Sequence, residues 1–274
     1  MHAAGLSSAL FIAGIAASFF GSVVGLGGGF LVIPILRLFF HLPPTLTAGT
    51  SLFLVTANVA SASISFWRQG RIDKQLAFTM GLIAIPGSVL GAVALQHFTT
   101  KGFDIAYGAI LALFGMDLLR RGTGRHESGR LARLPWAKRR EFADRLTNTT
   151  YVYSQSAPIA AAAGVTTGFI SSFFGIGGGI LIVPLLLRGF LMPPHIVSAT
   201  SQLIILLSSP FGLLTHGLAG DIDWLYALPL AAGGVLGAQF GADTARRLSS
   251  PALVRTLAIV LLFSAASLVA QHLM

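Results

Sequence analysis

Two glycine-rich stretches are the places where this chain could do chemistry with its backbone. Residues Gly25 to Pro34 read GLGGGFLVIP, and Gly175 to Pro184 read GIGGGILIVP. A helix that begins at such glycines leaves its first N–H groups without intrahelical partners and carries partial positive charge at that end. Without a Cβ, the backbone there admits an anion at close range. Gly27, Gly28, Gly29 and Gly177, Gly178, Gly179 are therefore candidate anion-binding residues. Close helix packing through small residues is the competing reading. Two copies, each leading into a short segment that ends in Pro-Pro, favour the binding one. A dinucleotide loop is excluded, because G-x-G-x-x-G fails at Phe30 and Ile180, and the chain holds no G-x-x-x-x-G-K-[ST].

Hydroxyls and amides form a second group. Thr50, Ser51, Thr56 and Asn58 in one half match a region with Thr200, Ser201, Gln202, Ser208 and Ser209 in the other. Such groups donate to an oxyanion without a counter-charge that would hold it too tightly. Helix–helix hydrogen bonding, worth roughly 0.6–2 kcal/mol, is the structural alternative. Thr50-Ser51 and Thr200-Ser201 recur in both copies and are read as substrate-binding. Asn58 is balanced between the two readings. Gln202 stands where the first copy has Leu52, which points to a role specific to substrate.

The charged residues suggest less. Arg37 and Arg188 lie near segment ends and are expected to snorkel to the interface. His216, Trp67 and Trp224 are expected to anchor there. Asp104, Asp117 and Asp243 fall near segment ends, and Asp73, Asp221 and Asp223 in loops. No acid sits mid-span, which argues against a built-in proton relay. There is no cysteine, no H-E-x-x-H and no close His/acid cluster at helical spacing within a span. An enzyme is not expected, nor a cofactor or metal.

The elements that position these residues are read from composition and self-similarity. Of 274 residues 54% are hydrophobic and only 10% charged, with mean hydropathy +0.79; soluble domains carry about 25% charge. The two glycine motifs are 150 residues apart and share six of ten positions. The same offset pairs Pro43-Pro44 with Pro193-Pro194, Thr50-Ser51 with Thr200-Ser201, and Gly70-Arg71-Ile72-Asp73 with Gly220-Asp221-Ile222-Asp223. Each half holds five apolar segments: 7–24, 29–40, 47–67, 75–96 and 103–120, then 157–174, 179–190, 196–218, 224–244 and 251–272. The second of each set has 12 residues, roughly 18 Å of helix, too short for a bilayer core of about 30 Å. It is read as a broken or re-entrant helix turning at the glycines.

The expectation is an all-α integral membrane protein: a first repeat over 1–120, a basic cytoplasmic connector over 121–150 and a second repeat over 151–274. Nine of 18 Lys/Arg lie between Arg120 and Arg145, a topology signal and not a nucleic-acid face. With the 121–147 loop in the cytoplasm and each first pair re-entrant, 16 basic residues fall inside and two, Arg37 and Lys101, outside. Both termini are then outside and the repeats have opposite topology, the layout of many secondary transporters. Trp136 among the loop's basic residues offers a contact with anionic lipid, or the loop is a solvated connector. Homo-oligomerisation is left open.

The doubled G-[LI]-GGG-[FI]-L-[VI]-[IV]-P block, each copy followed by Pro-Pro and Thr-Ser, resembles the sulfite exporter family TauE/SafE from about residue 8 to 272. The resemblance implies transport of a small sulfur-containing anion, sulfite or an organosulfonate such as sulfoacetate, across a prokaryotic inner membrane. With a negative cell interior an anion's exit needs no proton, since the potential favours it by about 2.3 kcal/mol per charge per 100 mV. Export by alternating access is expected, with an anion channel or a non-transporting membrane protein as alternatives.

Overall fold

The computed structural model describes residues 3–121, 138–144, 149–245 and 251–271. Its helices are α1 (Ala3–Val24), α2 (Gly29–Leu38), α3 (Pro44–Arg68), α4 (Lys74–Leu95) and α5 (Thr100–Arg121), then α6 (Ala157–Phe174), α7 (Gly179–Pro184), α8 (Pro194–Leu218), α9 (Trp224–Thr244) and α10 (Pro251–Ala270). A π-helical turn, Leu185–Gly189, continues α7. Among the described residues seven helices are long and apolar enough to cross a membrane. Their outer faces carry exposed Ile12, Leu82, Leu113, Leu214 and Phe240, a cover that only lipid would satisfy at this extent. The chain is a multi-pass helical membrane protein.

Local signals set the boundaries. Pro44 and Pro194 open α3 and α8, where a missing N–H costs nothing. Gly70 and Gly220, both at positive φ (68° and 77°), follow the ends of those helices. Asp73 and Asp223 cap α4 and α9, their Oδ1 accepting from Leu76 N at 3.1 Å and Leu225 N at 3.0 Å. His41 and Leu191, 150 positions apart, both turn at positive φ (52° and 59°) before the Pro-Pro pairs. Secondary structure thus repeats at the offset seen in the sequence.

The halves interlock. α1 lies along α9 and α4 along α6, while α3 and α8 pack on each other and α5 packs on α10. A Cβ on Gly14 of α1 would stand 2.2 Å from the Leu230 carbonyl oxygen of α9, and one on Gly87 of α4 would stand 2.1 Å from the Val165 oxygen of α6. Backbones meet there as small residues permit. Asp223 N donates to Thr50 Oγ1 at 3.0 Å and Asp73 N to Thr200 Oγ1 at 3.1 Å. The start of α3 therefore lies beside the end of α8, and the start of α8 beside the end of α3.

The connector departs from expectation. Its end forms an antiparallel hairpin, β1 (Lys138–Asp144) on β2 (Thr149–Gln155), with Lys138 opposite Gln155. The 150/151 boundary falls within β2, whose TTYVYSQ run favours a strand by its β-branched and aromatic residues. Tyr153 is buried and its hydroxyl donates to Asp73 Oδ2, so the hairpin is tied to the α3–α4 turn. Trp136 and the loop's Arg125, Arg130, Arg133 and Arg145 lie outside the described residues.

Candidate functional site

Each glycine motif is a left-handed turn between two helices. Gly25, Gly27 and Gly28 have φ of 88°, 88° and 83°; Gly175, Gly177 and Gly178 have 76°, 85° and 72°. Only glycine adopts three such angles without strain. The amides of Gly25, Leu26 and Gly27 all turn back to the Gly21 carbonyl, at 2.8, 2.7 and 3.4 Å. The next bond of the chain runs from Leu31 N to Gly28 O at 3.2 Å. Between them, the amides of Gly28, Gly29 and Phe30 meet no acceptor among the described residues. The start of α2 is thus a set of bare donors in a buried setting, and buried bare amides call for an acceptor.

Asn58 of α3 adds to that set. It is fully buried, and its Oδ1 accepts from Ser22 Oγ at 2.7 Å. Its Nδ2 has no partner among the described residues and lies 3.3 Å from the place a Gly28 Cβ would take. Backbone and side chain here present hydrogens only. Nearby buried atoms without partners include Ser18 Oγ, Ser171 Oγ and Gln202 Oε1. Ser171 Cβ stands 3.2 Å from the Cβ position of Gly178, and Gln202 Nε2 donates to Gly21 O at 3.2 Å.

The remaining predicted residues join the halves. Ser51 Oγ donates to Gly175 O at 2.8 Å and Ser201 Oγ to Gly25 O at 2.9 Å, the same bond made twice across the offset. Thr50 and Thr200 accept from the cap residues Asp223 and Asp73, as described above. Thr56 Oγ1 donates to Ser209 Oγ at 3.1 Å. Ser51→Ala and Ser201→Ala each leave a buried glycine carbonyl with one partner fewer. Each is expected to cost roughly 1–2 kcal/mol, the two being equal within error, as unfolding midpoints in detergent would measure.

The two motifs touch. A Cβ on Gly29 would stand 2.5 Å from Gly175 O, and one on Gly179 2.6 Å from Gly25 O. Val55 Cγ1 lies 3.2 Å from the Cβ position of Gly27 and 2.6 Å from that of Gly177. Gly27–Gly29 and Gly177–Gly179 are thus brought together, but in contact instead of across an open space. A solute reaches both only if they part.

Two expectations for charged residues are corrected. Arg37, at the end of α2, is 7% exposed and does not snorkel. Its Nε donates to Asp104 Oδ1 at 2.8 Å, its Nη2 pairs with Asp104 Oδ2 and its Nη1 reaches Leu42 O. Burial of Asp104 at the start of α5 supplies the counter-charge. Arg188 pairs with Asp117. His216 is no interfacial anchor: it is fully buried, with Nε2 2.9 Å from Ser172 O and Nδ1 3.3 Å from Asp221 Oδ2. Trp67 and Trp224 are exposed. Ser22, Ser171 and Ser172 were missed. Ser22 and Ser172 occupy the same place in the two copies, three residues before each motif, a signal the sequence contained.

The model of the family described as "Sulfite exporter TauE/SafE" matches residues 10–268. The chain is similar to the probable membrane transporter protein YunE of Bacillus subtilis, 31% identical, covering 95% of this chain and 96% of that one. A probable membrane transporter protein of Xylella fastidiosa is 29% identical, covering 83% and 80%. The probable membrane transporter protein MJ0441 of Methanocaldococcus jannaschii is 29% identical, covering 79% and 74%. No solved structure matches significantly.

Proposed function

Because the chain belongs to the sulfite exporter TauE/SafE family, whose members are membrane transporters and not enzymes, we propose that it carries a small sulfur oxyanion, sulfite or an organosulfonate, out of the cell by alternating access. The observation that carries this reading is the collection of bare donors at the start of α2. The Gly28, Gly29 and Phe30 amides and Asn58 Nδ2 have no acceptor among the described residues. An oxyanion offers several strong acceptors to such a set, and the helix end favours its charge. Gly27 allows the approach, while Gly177, Gly178 and Gly179 form the opposing wall. Thr50, Ser51, Thr200, Ser201 and Gln202 line or brace the same region.

The reciprocal bonds support reading the halves as inverted repeats of five segments. α3 and α8, equivalent in sequence, meet start to end, and rocking of one half against the other would part the two motifs. The hairpin and α3–α4 turn belong on the cytoplasmic side of a prokaryotic inner membrane, both termini on the other. The partner is thus a small anionic solute, in a lipid setting, without nucleic acid.

Sulfite added to the purified chain should raise its thermal midpoint by mass action, and sulfite flux in proteoliposomes should follow an imposed voltage. Asn58→Leu removes the bare side-chain donor and is expected to weaken apparent sulfite affinity roughly 10- to 100-fold, with Ser22→Ala as the control for the bond lost on its other side. Undiminished affinity in Asn58→Leu would sink the assignment of the site. Absence of protection or flux with every sulfur oxyanion would sink the substrate class.

A further inference from the structure

A buried pair lies at the far end of α8, where the two copies differ in chemistry. His216 stands at the position of Phe66, and Asp221 at that of Arg71. In the first copy the Arg71 guanidinium lies over the Phe66 ring, 5.7 Å from its centroid. In the second, an imidazole and a carboxylate meet instead. Both positions differ between the copies.

The contacts around the imidazole count protons. Nε2 lies 2.9 Å from the Ser172 carbonyl oxygen, which can only accept. Nδ1 lies 3.3 Å from Asp221 Oδ2, and that same oxygen also accepts from Gln96 Nε2. A neutral ring has one N–H and one lone pair, so facing a carboxylate and a carbonyl it would turn a lone pair on one of them. Two hydrogens are needed across the two contacts. They are present when the ring is doubly protonated, or when the carboxyl holds the extra proton and donates it to Nδ1.

Burial pushes the Asp221 carboxyl up, but the hydrogen bonds from His216 and Gln96 and the charge of His216 outweigh it, and its pKa lies below the usual value. An ionised Asp221 thus faces the ring with an acceptor, as the Ser172 carbonyl does. The last turn of α8, where His216 sits, favours a cation as well.

We infer that His216 and Asp221 together form a proton-binding site that ties the end of α8 to the end of α6, and so makes the seating of the second glycine motif depend on pH. Ser172 lies three residues before Gly175 on the same chain, so the bond to its carbonyl holds the helix end from which that motif springs. Its own hydroxyl meets Ser88 of α4 at 2.6 Å. Asp221 is the charged group in contact with the ring among the described residues. The C-cap of α4 presents the neutral Gln96, with His97 exposed beside it, and α3 a bond from Thr45 to Asp221. Lys74 and Arg68 lie at the opposite ends of those two helices, and α6 carries no ionisable residue. Residues 217–220 beside the pair are exposed, which gives the proton a short path to water. A chain that otherwise moves an anion along the membrane potential would thereby respond to the proton as well.

The test uses the full chain in detergent or nanodiscs and is independent of transport. Histidine nitrogen NMR, with His216→Gln to identify the signal, should show a doubly protonated ring at mildly acidic pH that loses one proton as pH rises. Over the same range, hydrogen exchange at residues 172–179, corrected for intrinsic chemistry, should show an about tenfold rise in opening as one bond is lost. His216→Phe, the first copy's residue, and Asp221→Asn should each abolish that pH dependence. The second variant is near-isosteric and guards against misfolding of the first. A ring neutral throughout, or an unchanged pH dependence of exchange in both variants, overturns the inference. A wild-type chain that shows both signatures yet moves no anion sustains this site and removes the transport reading instead.

Discussion

Asp104→Ala is expected to destabilise the protein by about 3–5 kcal/mol, because it strands the Arg37 guanidinium where its side chain is only 7% exposed. The carboxylate accepts from two guanidinium nitrogens, and Leu42 O takes a third donor. Removing Asp104 leaves a cation facing an apolar interior with a single carbonyl for company. Replacing both partners tests the cause. Arg37→Met with Asp104→Leu discards the charges together and should recover most of the loss, since a buried pair contributes little net stability over a packed apolar one. If the double variant is as unstable as Asp104→Ala, packing and not the orphaned charge is responsible. The same change at the second pair should matter far less. Asp117 and Arg188 are 27% and 14% exposed, and Asp117→Ala is expected to cost about 1 kcal/mol or less. Denaturant midpoints in detergent compare all three.

Gly175→Ala should be comparably severe, for a backbone reason. The residue sits at φ +76°, and the added Cβ would lie 2.3 Å from Ala48 O and 2.7 Å from Ala48 Cα. Those are main-chain atoms of α3 and cannot swing aside. The left-handed angle adds about 1–2 kcal/mol and the overlap about 1–3 kcal/mol, and the Ser51 bond to the Gly175 carbonyl would be disturbed as well. A loss near 3–5 kcal/mol is expected. Gly5→Ala is the control: a Cβ there meets nothing within 4 Å, and in α1 the exchange should be neutral or stabilising by up to about 1 kcal/mol. Equal stability of Gly175→Ala and Gly5→Ala would show that the motif's glycines are not needed for the way the halves meet.

The segment pattern was legible almost to the residue. The apolar runs predicted over 157–174 and 224–244 are α6 and α9 as observed, because α6 ends at a glycine turn and α9 opens at an aspartate cap, each a local physical signature. The reciprocal contacts follow the 150-residue offset, since duplicated sequence places the same donor against the same acceptor twice. The hairpin was hidden because its strands lie in a stretch whose charge drew attention to topology instead of to the Tyr-Val-Tyr alternation. Pairings between distant elements were not legible either. Arg37 and Asp104 are 67 residues apart, and nothing in either neighbourhood names the other. His216 and Asp221 are five apart, a spacing that is not helical. The turn at Gly220 folds one back on the other. The difference of both from Phe66 and Arg71 was the available clue.

Of the candidate site, the glycines stood out by repetition and Asn58 by residue type alone, since Ser208 takes its place in the second copy. Which atoms remain unbonded could not be foreseen, because that depends on the full inventory of partners. Ser51 and Ser201 show the limit: repetition marked them as important, and the structure employs both in holding the halves to each other.

The exchange of helices between halves has a consequence for the molecule's assembly. Every long surface that α1 or α4 buries is supplied by the other half of the chain, and the same surface is offered back in return. Residues 1–120 released on their own would be a shape complementary to its own copy, able to pair as two separate molecules crossing head to tail. Cutting the connector between the halves should leave the pieces associated in detergent, as co-purification of two separately tagged halves would reveal.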